Sequence, residues 1–196
     1  MNLPNRLTVS RFVLTLAFLL AMFLKFPFHE TAALVLFVVA GITDWMDGAI
    51  ARSRNLITNF GKLMDPLADK ILVCSAFIAF VSNGWMAGWI AVMIVARELA
   101  ITGLRLLAAS KNVVLAAEGW GKHKTIWQMI TIIAVLVKAS YWQWGKVGEW
   151  VFGWPVLGHP WVEPFAMLST ALTVGLTFIS GWLYLWRNRT LYLTEM

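Results

Sequence analysis

The chain has 196 residues, of which 60% are hydrophobic and only 13% charged, with a net charge of +6 and a mean hydropathy of +0.72. A soluble domain is roughly 45–50% apolar and about 25% charged, so this composition predicts one compact membrane bundle instead. A single cysteine, Cys74, excludes a disulfide framework and reads as a small hydrophobe. The histidines at 29, 123 and 159 lack metal-ligand spacing.

A spanning helix needs about 20 mostly apolar residues. Six windows qualify, at 8–26, 31–52, 63–82, 86–108, 122–140 and 164–186, joined by polar or glycine-containing links. The expected fold is therefore all-α: six transmembrane helices in a single domain over residues 1–196. Before the first window, Leu3 to Arg11 opens with Pro4, a favoured first helical residue, and predicts a short N-terminal interfacial helix. No cleavage site follows the N-terminus, so the first window is expected to be kept as a span. Pro66 fits the first turn of the third helix. The link from Tyr141 to Glu163 carries Trp142, Trp144, Trp150, Trp154 and Trp161, an expected aromatic belt.

Lys and Arg set the orientation. Arg6, Arg11, Arg52, Arg54, Lys62, Lys70, Arg105, Lys111, Lys122, Lys124, Arg187 and Arg189 fall on one side of such a bundle. Lys25, Lys138 and Lys146 fall on the other. The first side is expected to be cytoplasmic and to hold both termini.

All four aspartates lie between residues 44 and 69. Asp44 and Asp47 close the second window, and Asp65 and Asp69 open the third. Residues three or four apart share a helix face, and a short link sets the two pairs at similar depth. One carboxylate at mid-span costs roughly 2.5–3.5 kcal/mol, so four together need compensation. Protonation is one means, and divalent cations held by these hard oxygen ligands are the other. Two such ions can steady both the attacking and the leaving oxygen of a phosphoryl displacement.

The spacing Asp44-x2-Asp47-Gly48-x2-Ala51-Arg52-x8-Gly61-x3-Asp65-x3-Asp69 resembles the signature of the CDP-alcohol phosphatidyltransferases, position for position. The resemblance implies a membrane enzyme that moves a phosphatidyl group from a CDP-lipid to an alcohol. It implies Asp44, Asp47, Asp65 and Asp69 at two Mg²⁺ or Mn²⁺ ions, with Asp69 also the base that takes the acceptor's proton. Gly48, Ala51, Arg52 and Gly61, with Asn5 and Thr8 of the opening segment, are implied beside the CDP-lipid. A homodimer in a bacterial cytoplasmic membrane, with its active site on the cytoplasmic side, is implied as well.

Arg97, beside Glu98, falls inside the fourth window, where a charge is functional or paired. A salt bridge is one reading. The other joins Arg97 to Arg105, Lys122 and Lys124 as a pocket for the phosphate of an acceptor. The stretches Ala96 to Arg105, Gly121 to Thr125 with Gln128, and Leu3 to Arg11 resemble bacterial members of the family whose acceptor is sn-glycerol 3-phosphate. CDP-diacylglycerol would be the donor. Inositol phosphate would fit the same charge. A divalent-cation transporter is a reading of another class, and it leaves Gly48, Ala51 and Arg52 unexplained.

Overall fold

The computed structural model describes residues 3–53, 59–111, 113, 119–156 and 158–193. Among the described residues the regular elements are helices, apart from one small two-stranded ladder. In chain order the elements are α1 (Leu3–Phe23), α2 (His29–Ser53), α3 (Asn59–Ser82), α4 (Gly88–Ser110), α5 (Gly119–Ser140), a 3-10 turn (Tyr141–Trp144), α6 (Gly145–Phe152), β1 (Pro155–Val156), β2 (His159–Pro160), α7 (Val162–Arg187) and α8 (Arg189–Leu193). Each of the six apolar windows falls on one of the long helices. Among the described residues, His123–Phe152 and Val162–Arg187 are long and apolar enough to cross a membrane, while Val9–Phe23 and Lys70–Ser82 are shorter apolar stretches.

Two expectations about helix ends change. No separate helix precedes the first apolar window, because α1 runs unbroken from Leu3 to Phe23. Pro4 stands at its start and no further proline or glycine interrupts it. Nor does Pro66 sit in a first turn: α3 begins at Asn59, so the proline lies inside the helix. Its ring removes one backbone donor there, which a helix interior otherwise uses.

The apolar core is built where α1 packs against both α2 and α3, and α5 against α2 and α7. Phe18 and Met22 of α1, Phe37 of α2, Phe77 and Phe80 of α3, and Ile132 and Leu136 of α5 are nearly all fully buried there. A second cluster joins Ile101 and Leu104 of α4 to Tyr184 of α7. Cys74 is half-buried in α3. Between α3 and α4 the chain turns through Gly84 at φ +72°, a left-handed conformation that suits glycine.

The Trp-rich link is a folded cap at one end of the bundle. β1 pairs antiparallel with β2, Pro155 opposite Pro160 and Val156 opposite His159. Trp144 and Trp161 pack on Phe152, at ring-centroid distances of 5.6 and 5.7 Å. Trp142, Trp150 and Trp154 are exposed. Gln143 ties this cap to the start of α2: its Nε2 donates to Glu30 (2.5 Å), and Thr31 donates to its Oε1 (2.8 Å). His29 stands 3.2 Å from Glu30, and His159 3.6 Å from Glu163, both at this end.

Candidate active site

At the opposite end of the bundle, α2 carries positions 44 and 47 in its last third, and α3 carries positions 65 and 69 in its first half. Each pair is about one helical turn apart. Asp44 is half-exposed, and its Oδ1 accepts from the Nη2 of Arg11 at 2.7 Å. The side chains of Asp47, Asp65 and Asp69 lie outside the described residues, as do those of Asn5, Thr8, Gly48, Ala51, Arg52, Gly61 and Lys122. No group of three or more metal-type ligands forms among the described residues.

Arg11 is more than an orienting charge. It is 1% exposed and heads the buried stripe of α1 that continues through Thr15, Phe18 and Met22. The i, i+4, i+7 spacing aims all of them inward. A guanidinium so placed must meet acceptors, and Asp44 supplies one.

A second polar network links four helices. Lys70, the residue after Asp69, donates to Thr102 Oγ1 of α4. Thr102 donates to the backbone oxygen of Glu98 at 2.6 Å. Glu98 is buried, and its Oε1 accepts from Lys124 Nζ of α5. The same oxygen lies 3.3 Å from Arg97 Nη1, while Arg97 Nη2 reaches Ser180 of α7 at 3.3 Å. The salt bridge that is one of the two readings of Arg97 therefore forms, and it is shared with a buried lysine. Arg105 is exposed; its Nε donates to the Tyr184 hydroxyl at 3.2 Å, and its guanidinium lies over that ring. Arg97 and Lys124 thus share Glu98, while Arg105 stands about two turns further along α4, against Tyr184 of α7.

Below this network a polar seam runs between α5 and α7. Lys124, Gln128 and Thr131 share one face of α5, and Ser169, Thr173, Thr177, Ser180 and Tyr184 share one of α7; all are buried. The Thr131 and Thr173 hydroxyls are 2.8 Å apart. Gln128 Nε2, Thr177 Oγ1 and Arg97 Nε are buried without a partner among the described residues. Small residues on α7 let the helices approach closely. Their i, i+4 spacing was the available signal.

Among the described residues, Asp44 of α2 thus meets Arg11 of α1, and Glu98 of α4 meets its neighbour Arg97 and Lys124 of α5. The CDP-alcohol phosphatidyltransferase family model matches residues 1–179. The chain belongs to that family. It is 37% identical over 199 residues to the CDP-diacylglycerol–glycerol-3-phosphate 3-phosphatidyltransferase of Bacillus subtilis (strain 168), with 95% of each chain covered. A protein of that name from Escherichia coli (strain K12) is 36% identical over 146 residues, covering 72% of this chain and 80% of the relative. One from Rickettsia felis is 32% identical over 171 residues, covering 86% and 91%. As a CDP-alcohol phosphatidyltransferase, the chain is an enzyme, and the helices that carry its signature are α2 and α3.

Proposed function

We propose that this enzyme transfers the phosphatidyl group of CDP-diacylglycerol to sn-glycerol 3-phosphate, giving phosphatidylglycerophosphate and CMP. The observation that carries the reading is the eight-position signature from Asp44 to Asp69, in a chain 37% identical along 95% of its length to a relative named for that reaction. The chain works as a six-span bundle in a bacterial cytoplasmic membrane, with both termini and the active site cytoplasmic, and as a homodimer.

Carboxylates are hard oxygen donors that fit Mg²⁺ or Mn²⁺, and the half-exposed Asp44 carboxylate stands open at this end. Two such ions, held by Asp44, Asp47, Asp65 and Asp69, would neutralise the donor's diphosphate and make its phosphorus electrophilic. Arg11 holds Asp44 in position from α1. Gly48, Ala51, Arg52 and Gly61, with Asn5 and Thr8, receive the CDP-lipid. Arg97, Arg105, Lys122 and Lys124 receive the acceptor's phosphate; the Arg105 guanidinium is exposed to meet it. Asp69 accepts the proton of the primary hydroxyl. The hydroxyl oxygen bonds to the lipid-side phosphorus, the bond to the CMP oxygen breaks, and CMP departs.

The test is CMP release from CDP-diacylglycerol by the purified protein. Release should require sn-glycerol 3-phosphate, stop on chelation, and return with Mg²⁺ or Mn²⁺. Asp69→Asn should bind CDP-diacylglycerol and release no CMP. Release with inositol phosphate and none with glycerol 3-phosphate would refute the acceptor. Divalent-ion flux through vesicles with no CMP release would refute the transferase reading itself.

A further inference from the structure

The network of the active site leaves one large feature unused, at the other end of the molecule. A cavity of about 730 Å³ opens between the first turns of α4, the last turns of α5 and the first half of α7. It exists because α4 leans on α7 through its second half. Arg97 meets Ser180 and Arg105 meets Tyr184, with Ile101 and Leu104 packed beside Tyr184. Towards its start α4 diverges, so that Trp89 and Ile90 face Val174 and Gly175 across open space.

The walls are mainly apolar. The Thr170 hydroxyl is already spent on the backbone oxygen of Ala166, at 2.7 Å. The single charge in the lining is Lys138, in the last turn of α5. It is exposed, and among the described residues it forms no ion pair. Beside the opening, Val92 (68%), Met167 (71%) and Leu168 (58%) present bare apolar surface. In a membrane-spanning bundle that surface faces acyl chains, so the cavity is continuous with the hydrocarbon. The volume lies within the range of small-ligand pockets, roughly 300–1,000 Å³.

We infer that this cavity binds an anionic glycerophospholipid of the outer leaflet. An acyl chain fills the apolar space, and the headgroup phosphate pairs with Lys138, whose long stem lets the ammonium reach headgroup level. The concave shape suits a flexible chain better than the flat face of a second copy. The inference rests on the membrane-spanning reading of the bundle, and on none of the catalytic residues.

Native mass spectrometry of delipidated protein, offered phosphatidylglycerol and phosphatidylcholine in equal amounts, tests it. One lysine near the membrane surface attracts an anionic lipid by about 1 kcal/mol, so phosphatidylglycerol should be retained about fivefold over phosphatidylcholine. Lys138→Gln should bring that ratio close to one. Ala171→Trp, which fills the cavity, should lose both lipids. Both variants should release CMP as the parent does, which separates failure here from failure of the proposed reaction. Equal retention of the two lipids by the parent protein would overturn the inference. So would a preference that survives Lys138→Gln, a change that an exposed position tolerates without unfolding. Conversion of a dimer to monomer by Ala171→Trp would overturn it too, assigning the cavity to a second copy.

Discussion

Glu98 is where a single side chain decides most. It is buried, and both Lys124, which is 3% exposed, and Arg97 depend on its Oε1. Removing one member of a buried pair leaves an uncompensated charge and costs about 3–5 kcal/mol. Glu98→Gln keeps the shape and removes the charge, so it should lower the melting temperature in detergent by roughly 10 °C. Adding Lys124→Met removes the stranded ammonium and should recover a good part of that loss. A double variant that melts no higher than Glu98→Gln would show that the ion pair is not the source of the effect. Arg11 and Asp44 are a different case. Asp44 is 47% exposed, so the pair adds little stability in net terms, and its value lies in holding a signature carboxylate in place.

Among the helices, α7 packs closely on α4 at Gly181. A Cβ at Gly181 would stand 3.0 Å from the Cγ of Arg97, a root atom that cannot swing aside while its guanidinium stays on Glu98 and Ser180. A Cβ at Gly41 would stand 3.1 Å from the Cε of Met129, the free end of a flexible side chain. Gly181→Ala should therefore cost about 1–3 kcal/mol, the usual range for overpacking, and Gly41→Ala less than about 1 kcal/mol. Thermal unfolding of the two variants gives the order; the reverse order would mean that Arg97 has room to move. These helices were legible in the sequence because polar links interrupt long apolar runs, and each run became a helix. Their ends were less so: α3 starts at Asn59, ahead of its apolar window, because polar residues join a helix without adding hydropathy. The cap between α5 and α7 escaped because tryptophans at irregular spacing carry neither a helical nor a strand period.

For the molecule as a whole, the family signature was legible as spacing along α2 and α3, and the contacts around it were not. Arg11 reaches Asp44 between α1 and α2, and Glu98 reaches Lys124 between α4 and α5. Both are contacts between helices, which no local periodicity reveals. The number of membrane crossings is likewise a property of the whole, and parity can read it. If only His123–Phe152 and Val162–Arg187 crossed, Lys25 would share a side with His123 and Arg187, and Trp154 would stand alone opposite them. With six crossings, Lys25 follows one span and Trp154 follows five, so they share the outer side, away from His123 and Arg187. All four residues are exposed, so each accepts a cysteine in a Cys74→Ala background. A membrane-impermeant maleimide applied to intact spheroplasts should label Lys25→Cys and Trp154→Cys. It should reach His123→Cys and Arg187→Cys only after permeabilisation. A protected Lys25→Cys beside a labelled Trp154→Cys would leave two spans and dismantle the six-helix arrangement. The predicted pattern follows the charge: most Lys and Arg then lie on the side of His123 and Arg187, where the positive-inside rule puts the cytoplasm.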